Sequence, residues 1–451
     1  MPDLTIYDNF GLDGLFKSNM TEEHTQLVNS RDNEDDEPIW GFRYLGFVGN
    51  ISFNFVFQEI AYFNTIFGDS FGTLTNMMYC LANNISLVLM IWFGEKLSHR
   101  FRIVFGASCL GLILITIPLV AIYEFKFQIW YGLALIGFMG FANSIFTSAT
   151  YSLSGMSSAN ARNGQNIGAS IPSIIAWPLM VCLNKIFTLA IPQLGDRIAG
   201  ATTFALLILA ALLVFGIIPY YIWSMESTKS VQTILDSNKS NAVKDVTSEE
   251  KVRGLGAIIV ATLPLALAVW GVSFLTFITI PDQVLAWESK HANMYPGGIL
   301  GVQDVNIYIF QCSDTLGRFV VNSYPNLLNG PGIIAASASR LILLPLFFLA
   351  TAQWYFLSYD LIRIGINAVW GISYGILVSL AFIHGPAQVP AHEGDTSGPT
   401  MSFAFENGVF MGSCIALCIQ YFSRVLVEQR ILNTEIQIGP SFQLVIRSFE
   451  C

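Results

Sequence analysis

Residues 310–318 have the sequence FQCSDTLGR, which places Asp314 and Arg318 four positions apart in an otherwise apolar stretch. The flanking residues 302–310 and 319–321 have the composition of a membrane-spanning helix. A charge at the centre of a bilayer costs roughly 2.5–3.5 kcal/mol on insertion scales. Because residues i and i+4 share a helix face, the two charges can pair and face the protein interior. We therefore predict a functional ion pair here; a structural pair that locks two helices is the alternative.

The composition of the whole chain is that of a polytopic membrane protein. Of its 451 residues, 53% are hydrophobic and 12% are charged, against about 25% charged in soluble domains. The formal net charge of −9 argues against a nucleic-acid partner. The cysteines lack metal-ligand spacing, and no nucleophile–base pair or phosphate loop is recognisable. The sequence thus predicts no metal, no cofactor and no enzyme activity.

Eleven segments are apolar and long enough to cross a bilayer, which takes about 20 residues. Lys and Arg concentrate in the loops after the second, fourth and sixth segments, which predicts a cytoplasmic N-terminus. With an odd number of spans, the C-terminus is then extracytoplasmic. The predicted spans are 43–66, 72–94, 102–123, 128–153, 165–191, 199–223, 255–281, 302–323, 332–357, 363–384 and 400–424.

A polar stretch between the sixth and seventh spans divides the chain into two halves. The predicted fold is an all-α polytopic membrane protein with eleven transmembrane helices in a 6+5 major-facilitator-like arrangement and a site near the midplane between the bundles. The parts are an acidic cytoplasmic tail (1–40), an N-terminal bundle (41–225), a solvated cytoplasmic loop (226–252), a C-terminal bundle (253–425) and a tail (426–451).

Polar side chains inside the first span form a stripe, with Asn50, Asn54 and Gln58 recurring every four residues beside Phe53 and Phe57. Aromatic rings next to amide groups suit a flat ligand rich in heteroatoms. Hydrogen bonding between helices is the alternative. The further cavity-lining candidates are Asn83 in the second span and Thr147 and Thr150 in the fourth.

Three more charged residues are candidates for coupling or gating. Glu59 in the first span is a possible proton-coupling site, and Arg340 is expected near the cytoplasmic end of the ninth span. Glu406 lies deep in the eleventh span, where an unpaired charge is costly. We therefore expect Glu406 to pair with Arg340 or Arg318.

Several segments, in order along the chain, resemble motifs of the equilibrative nucleoside transporters, and the resemblance extends over about residues 41–424. The segment 310–318 resembles the eighth-span signature of that family, an Asn-x-x-Asp-x-x-Gly-Arg type motif. The other matching segments are Phe53-Asn54 and Tyr62-Phe63 in the first span, Gly164-Gln165 at the start of the fifth, Ser339-Arg340 through Pro345-Leu346-Phe347 in the ninth, and 371–375, 384–386 and 395–398 around the tenth.

The resemblance implies a carrier that moves nucleosides, or in some members nucleobases, down their gradients. By matched position, Asp314 and Arg318 contact the ribose hydroxyls, and Phe53 lies over the base with Asn54 and Phe57 beside it. Thr147 stands where many members have a base-recognising Gln, and a Thr hydroxyl lacks the reach of that amide.

Two more positions also depart from the family pattern: Gln311 stands where many members have Asn, and Asn83 where some have Met. The preferred base is therefore left open. The leading hypothesis is facilitated diffusion of purine nucleosides such as adenosine or inosine, with alternating access, in the plasma membrane.

Two alternatives accompany it. One is a nucleobase or proton-coupled nucleoside carrier, since some protozoan members of the family are thought to couple to protons, with Glu59 or Asp314 titrating. The other is a non-transporting membrane receptor or scaffold, which the lack of a sizeable extramembrane domain disfavours. The lipid bilayer and the substrate are the expected partners, and the oligomeric state stays open.

Overall fold

A computed structural model of the protein describes six stretches of the chain together with residues 284 and 287. The six stretches are 37–68, 71–122, 128–244, 254–280, 302–390 and 393–437. Within them the regular structure is helical, and no β-strand occurs. The acidic segment 1–36 and the tail after residue 437 lie outside the described residues.

The first half of the chain forms seven helices and is followed by an eighth. Predicted as one span, the first apolar segment is divided at Glu59, where the backbone (φ −93°, ψ 13°) leaves the helical ladder. The helices are α1 (Ile39–Gln58), α2 (Ile60–Phe67), α3 (Phe71–Phe93), α4 (His99–Ile122), α5 (Gln128–Gly155), α6 (Ala159–Ala190), α7 (Ile198–Tyr220) and α8 (Lys229–Lys244).

The region predicted as a solvated loop, 226–252, thus contains helix α8. Val231 near its start is buried, and Ile234 and Leu235 pack against the core of the first half. Val231, Ile234 and Leu235 stand at positions i, i+3 and i+4, so they form an apolar face on one side of the helix. This face explains why a mostly polar segment folds against the bundle.

The second half forms five helices, of which the last is the longest. They are α9 (Leu255–Thr279), α10 (Val302–Ser323), α11 (Gly330–Thr351), α12 (Asp360–His384) and α13 (Gly394–Gln437). Helix α13 continues beyond the predicted end of its span at 424, so the first part of the predicted tail is helical.

Nine of the helices in the described ranges are long and apolar enough to cross a membrane, and the chain is an integral multi-pass membrane protein. Helices α1 and α10 have 20 and 22 residues, about as many as the shorter of the nine. They are long enough to cross a membrane but are not among the nine. In α10 the reason is visible in the sequence, because Gln311, Asp314 and Arg318 lower its hydropathy.

The helices pack as two bundles, each with its own apolar core. In the first bundle, α1 packs on α6, α3 on α5, and α4 on α5 and α7; in the second, α9 packs on α13 and α11, and α10 on α12. The bundles meet where α13 contacts α3 and α5, and where α10 and α12 contact α6. This interface between the two bundles contains the polar residues described next.

Candidate functional site

The predicted ion pair is present within α10, so the pairing inferred from the i, i+4 spacing is confirmed. Arg318 Nε donates to Asp314 Oδ1 at 2.9 Å, and Nη2 donates to Oδ2 at 3.1 Å. Both residues are buried, with 6% and 7% of their surface exposed. Parallel N–H···O bonds of this kind are the strong, geometrically specific form of an Arg–carboxylate pair.

Arg318 also reaches out of its own bundle. Its Nη1 donates to the main-chain oxygen of Asn166 on α6 at 2.9 Å. The guanidinium thus joins the two bundles, which the sequence did not indicate.

Close packing of α10 against α12 fixes the position of the pair. A Cβ atom added to Gly375 would collide with the main-chain oxygen of Asp314 and lie 2.9 Å from its Oδ1. A Cβ on Gly317 would likewise collide with the main-chain oxygen of Ile372. Small residues at such crossings let helix backbones approach closely in membranes.

A narrow cavity lies between the bundles beside Arg318. Its volume is about 30 Å³, enough for only one or two water molecules. Tyr151 and Phe382, one from each bundle, stack at 5.0 Å in its wall. The lining residues are Leu45, Gly46, Gly49, Asn50, Thr147, Thr150, Tyr151, Gln165, Asn166, Ala169, Arg318, Val378, Phe382, Phe405 and Glu406.

Four of the predicted site residues line this cavity: Thr147, Thr150, Arg318 and Glu406. Asp314 lies behind Arg318, bound to it. The other candidates (Phe53, Asn54, Phe57, Asn83 and Gln311) are not among the lining residues.

The aromatic residues of the first span form a separate cluster. Phe53 contacts Tyr79, with ring centroids 4.5 Å apart, and stacks on Phe57 at 5.5 Å. The Asn54 amide donates to the main-chain oxygen of Asn50 at 2.8 Å. In this conformation these aromatic rings contact one another, and they are not part of the cavity wall.

Asn83 and Gln311 are engaged in local packing. Ser144 Oγ lies within hydrogen-bond distance of both the side-chain and the main-chain oxygen of Asn83, and this contact joins α3 to α5. Gln311 accepts from Thr315 Oγ1 through its main-chain oxygen at 3.1 Å. Gln311 is half-buried one turn before Asp314.

Arg340 lies in the middle of α11, so the expectation that it sits near a helix end is wrong. It is 2% exposed and donates to Ser373 Oγ at 2.8 Å and Thr276 Oγ1 at 2.9 Å. Its guanidinium carbon is 3.9 Å from the centre of the Trp370 ring. All of these partners belong to the second bundle.

Glu406 forms no ion pair with any residue in the described part of the chain, so its expected pairing with Arg340 or Arg318 is wrong. Its side chain lies beside Asn83, and its main-chain oxygen accepts from Asn84 Nδ2 at 3.3 Å. Glu59 lies at the α1–α2 break, away from the cavity, and accepts from Thr203 Oγ1 at 2.6 Å.

Three carboxamides in the cavity wall, Asn50, Gln165 and Asn166, were not predicted as site residues. Asn50 did belong to the four-residue stripe of the first span, so periodicity could have identified it. Gln165 and Asn166 lie just inside the N-terminus of α6. In the sequence, polar residues there look like the solvated start of a helix, whereas both are 1% exposed in the structure.

A second polar contact between the bundles lies where α4 and α13 begin. Asp395 on α13 accepts a hydrogen bond from Ser152 Oγ, and its Oδ1 lies 3.6 Å from His99 Nε2 and 3.8 Å from Arg102 Nη2. His99 and Arg102 are buried. Residues 395–398 match a family motif in the sequence, but this cluster could not be predicted, because its members come from three distant segments.

No group of three or more His, Cys, Asp or Glu side chains suited to a metal ion occurs among the described residues. The site therefore consists of one buried ion pair, a neighbouring carboxyl group, and neutral amides and hydroxyls. Such a set can bind a polar, uncharged ligand through many hydrogen bonds.

Comparison with known proteins gives a family match over part of the chain and a similar fold. Residues 226–421 match the family model described as Nucleoside transporter. No curated protein sequence matches the chain.

Among solved structures, the chain is similar to the major facilitator proton:xylose symporter XylE bound to 6-bromo-6-deoxy-D-glucose, with a TM-score of 0.57, 10% identity, and 86% of this chain and 90% of that chain covered. It is also similar to the E. coli fucose:proton symporter FucP, with a TM-score of 0.50, 12% identity, and coverage of 86% and 98%. At these identities the likeness shows the major-facilitator fold alone.

Proposed function

We propose that this chain, whose residues 226–421 match the Nucleoside transporter family model, carries purine nucleosides such as adenosine or inosine by facilitated diffusion. The observation that supports this most is the cavity between two bundles whose wall holds Arg318, bound at once to Asp314 and to the opposite bundle. Nucleosides are neutral at physiological pH and rich in donors and acceptors, which matches this lining.

The proposed topology has eleven spans in a 6+5 arrangement, because α1 and α10 are added to the nine apolar helices. Their polar faces would then be covered by α6 and α12, against which they pack. In this topology the N-terminus is cytoplasmic, the C-terminus is extracytoplasmic, and the protein resides in the plasma membrane.

Transport would proceed by rocking of the bundles about the site, as in other carriers with two-bundle folds. The present cavity is too narrow for a nucleoside, so binding requires the bundles to separate. In the opened state, Arg318 can exchange the Asn166 carbonyl for a ribose hydroxyl, while Asp314 accepts from a second hydroxyl. Phe53, Asn54 and Phe57 would lie over the base once their own ring cluster opens.

The test is adenosine uptake into proteoliposomes and into cells that lack nucleoside uptake of their own. Asp314→Asn and Arg318→Lys are each expected to lower uptake sharply while the protein still reaches the surface, since Lys lacks the planar fork of Arg. Thr188→Ala on the exposed outer end of α6 is the matched control. Normal uptake by both site variants at normal abundance would remove them from the site, and absence of uptake by the unmodified protein would favour a receptor or scaffold.

A proton-coupled carrier is the second candidate, because the Glu406 carboxyl group borders the cavity and forms no ion pair within the described residues. Coupling predicts that uptake rises at acidic external pH, falls with a protonophore, and loses both responses in Glu406→Gln. A flat pH response of the unmodified protein would eliminate this candidate.

A further inference from the structure

The carboxamides of Gln165 and Asn166 in the cavity wall carry three buried polar atoms without partners among the described residues. Both residues are 1% exposed, and both line the cavity. Gln165 Oε1, Asn166 Nδ2 and Asn166 Oδ1 have no hydrogen-bond partner among the described residues. Buried polar atoms without partners are rare and costly, so a set of three in one cavity wall points to a ligand.

The orientation of the Gln165 amide follows from its neighbour. Thr150 Oγ1 donates its only hydrogen to the main-chain oxygen of Thr147 at 3.0 Å. It can therefore only accept from Gln165, whose Nε2 lies 3.0 Å away. The amide nitrogen must face Thr150, and Oε1 is the atom presented to the cavity.

Asn166 adds one donor group and one acceptor that can exchange places by rotation of the amide. Asn166 gives its main-chain oxygen to Arg318, and both residues line the same cavity, so the Asn166 amide and the guanidinium proposed to bind ribose belong to one site. The three atoms without partners are therefore the acceptor Gln165 Oε1, whose position is fixed, and one acceptor and one donor on Asn166. They belong to the same cavity wall as Arg318, the group proposed to bind the sugar.

We propose that Gln165 and Asn166 bind the base and favour one that carries an exocyclic amino group beside an unprotonated ring nitrogen, as adenine does. The two amino hydrogens satisfy Gln165 Oε1 and Asn166 Oδ1, and Asn166 Nδ2 donates to the ring nitrogen. A 6-oxo base such as hypoxanthine can pair with Asn166 but leaves Gln165 Oε1 unsatisfied. This assignment rests on the proposed function, and it supplies the base-recognising amide that Thr147 cannot provide.

The experiment measures inhibition constants of adenosine, inosine and N6,N6-dimethyladenosine against radiolabelled adenosine uptake. The unmodified protein is expected to bind adenosine about tenfold more tightly than either competitor, the difference that one or two hydrogen bonds make. In Gln165→Leu the constants of adenosine and inosine should converge to within about twofold, because both bases can still pair with Asn166. N6,N6-dimethyladenosine should stay weaker, because it has no hydrogen for Asn166 Oδ1 to accept. The ratio does not depend on how much protein reaches the membrane.

Thr150→Val provides a second variant that keeps both amides. Without the hydroxyl, the Gln165 amide is free to turn and donate, so inosine should bind more tightly and the preference for adenosine should shrink. Asn184→Leu, an exposed amide near the other end of α6, is the matched control and should keep the ratio.

Equal binding of adenosine and inosine by the unmodified protein would overturn the inference, and so would an unchanged ratio in Gln165→Leu and Thr150→Val. If Gln165→Leu does not reach the membrane, Thr150→Val alone decides. Absence of any nucleoside uptake by the unmodified protein would contradict the proposed function itself, which is a different result from uptake without base preference.

Discussion

Arg318 and Arg340 are both buried in the second bundle, yet they are held in different ways. Arg340 donates to Thr276 and Ser373 and lies over Trp370, all within its own bundle. Arg318 binds Asp314 in its own bundle and the main-chain oxygen of Asn166 in the other. A bond across the interface must break when the bundles separate, whereas a bond inside one bundle can persist. We therefore expect Arg318 to govern transport and Arg340 to govern stability.

Removing the carboxylate of the Arg318 pair should have the largest effect. Asp314→Ala leaves a buried guanidinium without its counter-charge, which costs about 3–5 kcal/mol in typical buried pairs. Thermal unfolding in detergent is expected at a clearly lower temperature, together with loss of uptake. The double variant Asp314→Ala/Arg318→Ala should recover part of the stability but none of the uptake. A double variant less stable than the single one would contradict this reading of the pair.

Arg340→Lys should lower stability while sparing transport. The substitution keeps the charge but loses the planar stacking on Trp370, an interaction worth about 2 kcal/mol when desolvated. Surface abundance and unfolding temperature should fall, and uptake per surface molecule should stay within about twofold of normal. Arg318→Lys is the matched comparison. If both lysine variants reduced uptake per molecule equally, the distinction between the two arginines would fail.

Asp395→Asn should weaken another of the polar contacts between the bundles. Removing the charge that faces His99 and Arg102 costs about 1 kcal/mol. This free energy corresponds to about a fivefold shift of the equilibrium toward the conformation in which the bundles are separated at this end. Spin labels at positions 101 and 390 would detect this shift as a larger population of long distances between the two labels.

Glu226→Gln is the control for that experiment, because Glu226 pairs with Arg100 within the first bundle at 3.8 Å. Its distance distribution should match that of the unmodified protein. An equal shift in both variants would show that the Asp395 cluster has no special part in closing this end.

Glu59→Gln should have the smallest effect. Glu59 accepts from Thr203 inside the first bundle, and a Gln oxygen can accept the same bond. Uptake and its pH profile are expected to remain within about twofold of normal. A changed pH profile would return Glu59 to the coupling candidates and weaken the case for Glu406.

The positions of most helices and the Asp314–Arg318 pair could be predicted from the sequence. The groups that the other buried polar side chains contact could not. Glu406 was expected to pair with an arginine on energetic grounds alone, but its helix directs it toward Asn83 and the cavity. From the sequence, Gln165 and Asn166 stand at the polar start of a helix. In the structure α1 and α10 pack against α6 and bury both residues. In the same way, α8 was read as loop because its apolar face is short.

Hydropathy and the spacing of Asp314 and Arg318 belong to the sequence itself, because span length and the i, i+4 rule depend only on residues close together in the chain. They determined a polytopic helical protein with a buried Asp314–Arg318 pair. The amides that share a cavity with Arg318, and the fact that Arg318 rather than Arg340 bonds across the interface, depend on how distant helices rotate and cross. That was decided only by the tertiary packing, where glycines such as Gly375 set how closely two backbones approach.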